Sequence, residues 1–481
     1  MTTIDHAVVL GGSIAGLLSA AALAPRAHRI TVVDRDPLPL EGPDAQVARR
    51  GVPQGDQIHH LLMRGQERIE ELLPGIGDEL LALGCEKYDD VADFSQFVDG
   101  AWRMRIQSDL KVTMFRRPLF EWAIRRRVLA LSNVTVVKGM AVGLLASSDG
   151  ARVSGAKVRG APGGTLAADL VVDATGRGSR SPFWIEDLGY ERPVERHVRI
   201  YMGYSTWTVR LPEGALPKGL AGISASASPA NPFGVAIRPC GNGLHDVAAY
   251  GMAGHYPPDD LDAMAGFFEE LDSPVIADVM KKAVPASEIV PYRMPGNQRR
   301  MWEDLPRRPE NLVVVGDAVT SFNPIYGQGM TMAALGAGVL GDALAEAGTL
   351  DGLAETVQAR LGPLAQVAWD LAVGADSVYP QAEYENVEPP SARDRDRARA
   401  QSAAQSAEGA VRVAMRATAL YMDPAYLGSP VVQETIDRWL TSGHKPAPEV
   451  TDPTDPPDVT PGVVRAADLL EPATAAGRLA G

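Results

Sequence analysis

The stretch "VVLGGSIAGLL" (8–18) constrains the fold of this chain more than any other. A β-branched apolar run leads into two adjacent glycines and then into a segment rich in Ala and Leu. Read by pattern, that is a buried strand at 6–10, a tight turn, and a helix at 13–23. In a dinucleotide-binding turn each glycine has a physical task. Gly11 permits the sharp turn, and Gly16 lets the helix lie close against the sheet. Ser13 stands where the pattern G-x-G-x-x-G has its middle glycine, the point at which backbone approaches a pyrophosphate. Its hydroxyl is expected to reach a phosphate oxygen itself. The helix start offers unpaired N–H groups and the positive end of a dipole to an anion. A second strand, "RITVVDRD" (29–36), ends near Asp34, about 20 residues on, where an acidic side chain takes a ribose hydroxyl. Gly11, Gly12, Ser13, Ile14, Ala15, Gly16, Asp34 and Arg35 are therefore the candidate nucleotide-binding residues.

A second segment, "GAGVLG" (336–341), satisfies the glycine pattern fully, but its context differs. "GMTMAAL" precedes it without β-branched alternation, and "GDALAEA" continues the same helical pattern after it. Its small residues are expected to let a buried helix approach its neighbours. Two further strand-to-loop transitions reinforce the first fingerprint. "ADLVVDATGRGSRSP" (168–182) is an apolar strand ending at Asp173 and a Gly-rich turn. "NLVVVGDAVTSFNPIYGQGMTMAAL" (311–335) is a strand at 312–315, then Gly316 and Asp317, a Pro-containing loop, and a helix starting near Gly329. Between 181 and 309 the pattern changes, and "HVRIYMGYSTWTVRL" (197–211) and "PFGVAIRP" (232–239) alternate as half-buried strands do.

Composition removes several classes of function. A net charge of −14 with no basic stripe argues against a nucleic-acid partner. The two cysteines, Cys85 and Cys240, lie far apart outside any C-x-x-C, which excludes a disulfide framework and suits a reducing cytoplasm. The eight histidines are scattered, so no metal site is expected. The start "MTTIDH" has no basic region or cleavage site, and no signal peptide is expected. Apolar runs stop short of the ~20 residues a spanning helix needs. Neither H-E-x-x-H, G-x-S-x-G nor G-x-x-x-x-G-K-[ST] occurs.

In order, these stretches resemble the FAD-dependent monooxygenases built on the para-hydroxybenzoate hydroxylase fold. GGSIAG is similar to that group's ADP-binding motif, "VVDATG" to its motif near the cofactor, and "VVGDA" to the motif whose aspartate binds the ribityl chain. "NPIYGQGM" resembles the loop and helix start facing the flavin pyrimidine ring, and "FRRPLFEWAIRRR" (115–127) the arginine-bearing segment. The resemblance covers roughly residues 1–345. Within the group the likeness is greatest to bacterial polyether epoxidases, on "RRGVPQGDQIHHLLMRGQERIEELLPG" (49–75), "DATGRGSR" and "FNPIYGQGM"; squalene epoxidases are more distant. Those enzymes carry V-P-Q followed by H-x-H. Here Gln57 takes the place of the first histidine, His59 that of the second, and Asp56 replaces a common basic residue.

The resemblance implies an α/β chain: a Rossmann-like FAD-binding domain (1–180 and 300–348), an inserted β-sheet substrate domain (181–299), a helical C-terminal region (349–442) and a Pro/Asp-rich tail (443–481). It implies FAD bound also by Arg117, Asp317, Pro324, Gly327, Gln328, Gly329 and Met330, with His59 as a candidate near the chemistry. Tyr201, Tyr204, Trp207 and Phe233 are the expected liners of a substrate pocket with few charged groups. The expected reaction is insertion of one oxygen atom from O2 into a hydrophobic natural product, above all epoxidation of an alkene through the flavin C4a-hydroperoxide. NAD(P)H would dock transiently as reductant, or a flavin reductase would supply electrons. An aromatic-ring hydroxylase, a flavin-dependent halogenase (whose W-x-W-x-I-P signature is missing), a reductase and a flavin-binding carrier are the alternatives. Within the C-terminal region, "YPQAEYENVEPPSARDRDRARAQ" (379–401) reads as a linker or solvated surface. "KPAPEVTDPTDPPDVTPG" (445–462) has too few apolar residues to order itself and is expected to lie extended, or move, before a short terminal helix.

Overall fold

Five parallel strands form the sheet that carries the first fingerprint, in the order Leu312–Val314, Leu170–Asp173, Ile4–Leu10, Ala27–Asp34 and Val134–Lys138. This computed structural model describes residues 4–98, 100–395 and 452–464. The central strand is buried on both faces, as its near-continuous apolar run requires. Ala7 and Val9 face helices Ile14–Leu23, Arg117–Leu129 and Gly329–Glu346. Val8 and Leu10 face a small antiparallel sheet of Met140–Ala146, Val153–Arg159 and Thr165–Ala167.

The turn after the first strand is tight for tertiary as well as local reasons. Gly11 has φ +103°, and a Cβ there would meet the Ala174 carbonyl oxygen at 2.3 Å. A Cβ on Gly16 would come within 1.8 Å of the Gly11 carbonyl oxygen. Both glycines therefore lie where backbone approaches backbone. The complete pattern at 336–341 sits inside Gly329–Glu346, with no strand before it.

The second layer is a ten-stranded sheet. Its long strand Glu195–Arg210 pairs with Leu244–Gly251 on one side and Val290–Arg300 on the other. Beyond Leu244–Gly251 follow Phe233–Gly241, Gly222–Ala225 and Phe94–Val98. Successive side chains alternate between the faces. Trp207, Val235, Ile237 and Val247 pack under helices Leu261–Glu269 and Pro274–Met280. Tyr204, Ala236, Arg238, Ala248 and Tyr250 turn the other way, toward a cavity between the two sheets.

Helix Leu353–Asp376 packs on Gly329–Glu346, and no described helix is long and apolar enough to cross a membrane. The stretch expected to be a linker contributes an edge strand, Glu383–Glu385, on Glu195–Arg210. Most of the rest of the expected helical region lies outside the described residues, as does the expected terminal helix. The Pro/Asp-rich tail gains its order from a borrowed edge. Val459–Val464 pairs in parallel with Arg105–Ser108, while Trp102 Nε1 and Ser273 Oγ donate to the carbonyls of Asp452 and Pro453 at 3.0 and 2.8 Å. Its low apolar content is offset by hydrogen bonds to partners far away in sequence.

Candidate active site

The carboxyl ends of the parallel strands open into a cavity of about 1110 Å³ that continues beneath the ten-stranded sheet. Ligand clefts in α/β folds lie at this end, because the loops there are free to shape a site. Gly11, Ser13, Ile14, Ala15, Asp34 and Arg35 line the end of the cavity next to the first strand–turn–helix. Gly12 and Gly16 lie behind that wall: Gly12 N–H donates to Asp34 Oδ2 at 2.7 Å, and Gly16 seats the helix.

Ser13 is tied into the protein by its side chain. Its hydroxyl donates to Glu121 Oε2 at 2.8 Å and accepts from Arg117 Nη2 at 3.2 Å, so its proton is committed within the protein. Glu121 is the hub of a buried charge network that sequence reading missed. Arg49 reaches Glu121 Oε1 at 2.7 Å and Asp34 Oδ1 at 3.2 Å, and Arg125 lies 3.6 Å from Glu121. The nearest local signal was Arg49 at the head of the 49–75 stretch.

Asp317, Pro324, Gly327, Gln328, Gly329 and Met330 line the middle of the cavity. Burial pushes the Asp317 carboxyl up, while Arg117 and Arg177 pull it down. Gln328 is buried at the start of helix Gly329–Glu346, and its Oε1 has no hydrogen-bond partner within the protein. Arg117 Nε is likewise buried and unpartnered, and burial lowers the pKa of that guanidinium. His59 lines the same wall, with Nδ1 2.7 Å from the Gln57 carbonyl and Nε2 3.4 Å from Arg117 Nη1. Gln57 accepts a 2.6 Å hydrogen bond from Thr206 Oγ1, joining the 49–75 segment to the upper sheet. Asp56 lies outside the cavity lining, 3.7 Å from Arg116.

The loop before Gly329 is held from behind. Asn297 and Asn323 donate to Asp376 Oδ2 at 2.6 and 2.8 Å, and Tyr326 donates to Oδ1. Burial raises Asp376 to about 7.

Among the four aromatics expected in the substrate region, Tyr204 alone lines the cavity. Strand parity is the reason: Trp207 and Phe233 face the helices, Phe233 at 5.2 Å from Phe267. Tyr201 sits at an irregularity in the strand pairing, 38% exposed, with its hydroxyl on Glu383. Tyr250 and Tyr292 line the cavity instead, as do Arg103, Arg238 and Asp90, so this end is charged rather than greasy. Among the described residues no cluster of three or more His, Cys, Asp and Glu is placed to hold a metal.

No protein-family model matches the chain. Protein Rv3254 of Mycobacterium tuberculosis (strain ATCC 25618 / H37Rv) is 33% identical over 357 residues, which cover 71% of this chain and 73% of the mycobacterial protein. Solved structures match in fold at low identity. PqsL, a probable FAD-dependent monooxygenase from Pseudomonas aeruginosa, aligns at TM-score 0.59 and 16% identity over 78% of this chain and 96% of its own. The tetrameric form of 2-methyl-3-hydroxypyridine-5-carboxylic acid oxygenase aligns at TM-score 0.54 and 17% identity, over 90% and 96%. The flavin-dependent brominase Bmp2 aligns at TM-score 0.52 and 15% identity, over 91% and 93%.

Proposed function

The chain belongs to the family of Protein Rv3254 of Mycobacterium tuberculosis, and from its fold and its cavity we propose that it is an FAD-dependent monooxygenase inserting one oxygen atom from O2 into a small organic molecule. One observation carries this reading. Gln328 and Arg117, each with a buried polar atom (Oε1 and Nε) that has no partner, line the same cavity as Asp317 and two helix N-termini. Unpaired buried polar atoms are costly, and a polar ligand spanning the cavity would satisfy them.

FAD fits that set of donors and acceptors. The N-terminus of Ile14–Leu23 would hold its pyrophosphate and Asp34 the adenosine ribose. Asp317 would accept from the ribityl chain, and the start of Gly329–Glu346 with Gln328 would meet the pyrimidine edge of the ring. Arg117, fixed by Ser13 and Glu121, would place a cation beside the ring. When bound, FAD supplies the electron and oxygen chemistry, and the protein supplies placement, electrostatics and exclusion of water. Electrons would come from NAD(P)H docking transiently or from a flavin reductase. Residues 1–180 and 300–348 would hold the cofactor, and 181–299 the substrate, together with the segment 90–103 that joins the upper sheet. Within this class an alkene acceptor is favoured by the likeness of 49–75 to polyether epoxidases.

The experiment combines cofactor and isotope. Purified protein should be yellow and release intact FAD on heating. With reductant, ¹⁸O₂ and a library of unsaturated compounds, the product should carry one heavy oxygen. Oxygen taken from solvent, reduction without oxygen gain, or bromide incorporation would each refute the proposal.

A further inference from the structure

The cavity beneath the ten-stranded sheet holds more positive charge than its own carboxylates neutralise. Arg103 and Arg238 both line it. Among the described residues neither guanidinium has a carboxylate within 4 Å, and Asp90 acts on both from beyond that distance. Arg103 is 8% exposed, donates from Nη2 to the Asp90 carbonyl at 2.9 Å, and leaves its buried Nε unpartnered. Arg238 lies 4.5 Å over the Phe94 ring, and its Nη1 makes only a long 3.4 Å bond to the Ile237 carbonyl. Burial depresses both cations, Arg238 to about 10, and the nearby Arg103 charge adds to the lowering at Arg238.

Register places the neighbouring groups. Ser224 pairs with Gln96 on one side and Ala236 on the other, and Ala236 pairs with Ala248. These side chains share the cavity face of the sheet with Arg238. The Arg103 amide donates to the Gln96 carbonyl at 2.7 Å, bringing the second arginine to the same edge. Ser224 is 5% exposed, and its buried Oγ has no partner. Ser224 and Arg103, each with one buried polar atom that lacks a partner, therefore line the cavity beside Ala236 and Ala248.

We propose that Arg103 and Arg238, with Ser224, form a carboxylate subsite, and that the molecule processed in this cavity is an organic monoacid whose apolar body lies along Ala236 and Ala248. Two guanidiniums against one carboxylate, that of Asp90, leave one positive charge to be matched. Arginine forks are suited to carboxylates, and charge-assisted bonds in a desolvated site are strong. A cation–π contact on Phe94 accounts for the position of Arg238 but leaves Arg103 Nε and Ser224 Oγ unsatisfied. The subsite deepens the monooxygenase reading by naming the substrate class, and it depends on that reading only for the chemistry at the other end of the substrate.

The test is calorimetric titration of the full chain, as purified, with three matched pairs: octanoate and octanamide, cinnamate and cinnamamide, 2-naphthoate and 2-naphthamide. At least one acid should bind roughly tenfold to a hundredfold more tightly than its amide. Arg238→Gln and Arg103→Gln should abolish that preference while circular dichroism stays unchanged, and Arg238→Lys should retain part of it. Ser224→Ala, a small change, covers the case in which an arginine variant fails to fold; it should weaken acid binding and leave amide binding unaltered. Amides binding as tightly as acids, no acid binding at all, or a preference that survives the substitutions would overturn the subsite. FAD content, measured on the same samples, separates the two readings. Protein lacking FAD that still prefers acids refutes the flavin assignment alone, and FAD-loaded protein indifferent to the carboxylate refutes the subsite alone.

Discussion

The Ser13 hydroxyl donates to Glu121 Oε2 across 2.8 Å, joining the one irregular position of the glycine fingerprint to a helix more than 100 residues away. Glu121 also faces Arg49, Arg117 and Arg125, so a single buried carboxylate serves three guanidiniums. Removing one member of a buried charge set strands the others, which costs about 3–5 kcal/mol. Glu121→Ala should lower stability by that order in urea denaturation. Ser13→Gly, which completes the sequence pattern, should destabilise by roughly 1–3 kcal/mol, because it deletes a hydrogen bond to a charged group. A more stable Ser13→Gly protein would contradict this account.

The two glycine patterns should respond oppositely to alanine. A Cβ on Gly16 meets backbone, the Gly11 carbonyl at 1.8 Å, and neither partner can move without opening the turn. Gly16→Ala should cost more than about 3 kcal/mol, or prevent folding. The atoms nearest a Cβ on Gly338 all belong to the Arg68 side chain, the closest being Nε at 2.2 Å, and that side chain can swing away. Its ion pairs with Glu71 and Asp342 lie on the surface, where such pairs are worth up to about 1 kcal/mol. Gly338→Ala should thus stay within about 1 kcal/mol of the parent and keep any bound FAD.

Asp317→Ala tests the proposed ribityl contact directly. Loss of a charge-assisted hydrogen bond of about 1.5–3 kcal/mol should weaken FAD binding tenfold to a hundredfold in a fluorescence titration. An Asp317→Ala protein that folds and binds FAD with undiminished affinity would remove Asp317 from the site.

Asp376 should make stability depend on pH. Burial raises its folded-state value to about 7, against about 3.9 in the unfolded chain. Between those values the folded state holds a proton that the unfolded state has released. The stabilisation is therefore complete below about pH 4 and is lost as pH rises to about 7, amounting to a few kcal/mol. Asp376→Asn, neutral at every pH and nearly isosteric, should remove this fall. Identical pH dependence of the urea midpoint in both proteins would rule it out.

A chain ending at residue 451 tests the borrowed edge. It loses the pairing of Val459–Val464 and the carbonyls that receive Trp102, Arg105 and Ser273. At about 0.5–1.5 kcal/mol for each bond, thermal unfolding should shift down by several degrees. An unchanged midpoint would mean that the tail strand contributes no stability.

The architecture near the fingerprint was legible because its signals are local. A strand–turn–helix needs apolar periodicity and glycines within some fifteen residues, and the position of Asp34 follows from one more strand. The same local reading told the helical "GAGVLG" from the true turn, since the residues before it lack strand character. The alternating segments at 197–211 and 232–239 likewise announced a sheet. What they could not announce was which parity faced the cavity, because period-two alternation is symmetric until a helix layer covers one face. Trp207 and Phe233 fell on the covered face, while Tyr204, Tyr250 and Arg238 fell on the open one.

The rest belongs to tertiary structure. Arg49 and Glu121 are 72 residues apart, Asn297 and Asp376 are 79 apart, and Trp102 reaches a carbonyl 350 residues along the chain. No spacing rule links such residues, and on its own segment none of them signals its partner. Burial makes these pairings necessary, because a charged or polar group removed from water must find a partner wherever packing has brought one. The sequence by itself determined the local conformations and the end of the parallel sheet at which a ligand would sit. Packing alone decided which charges meet, which face of the upper sheet lines the cavity, and how a tail too polar to build its own core is held in place.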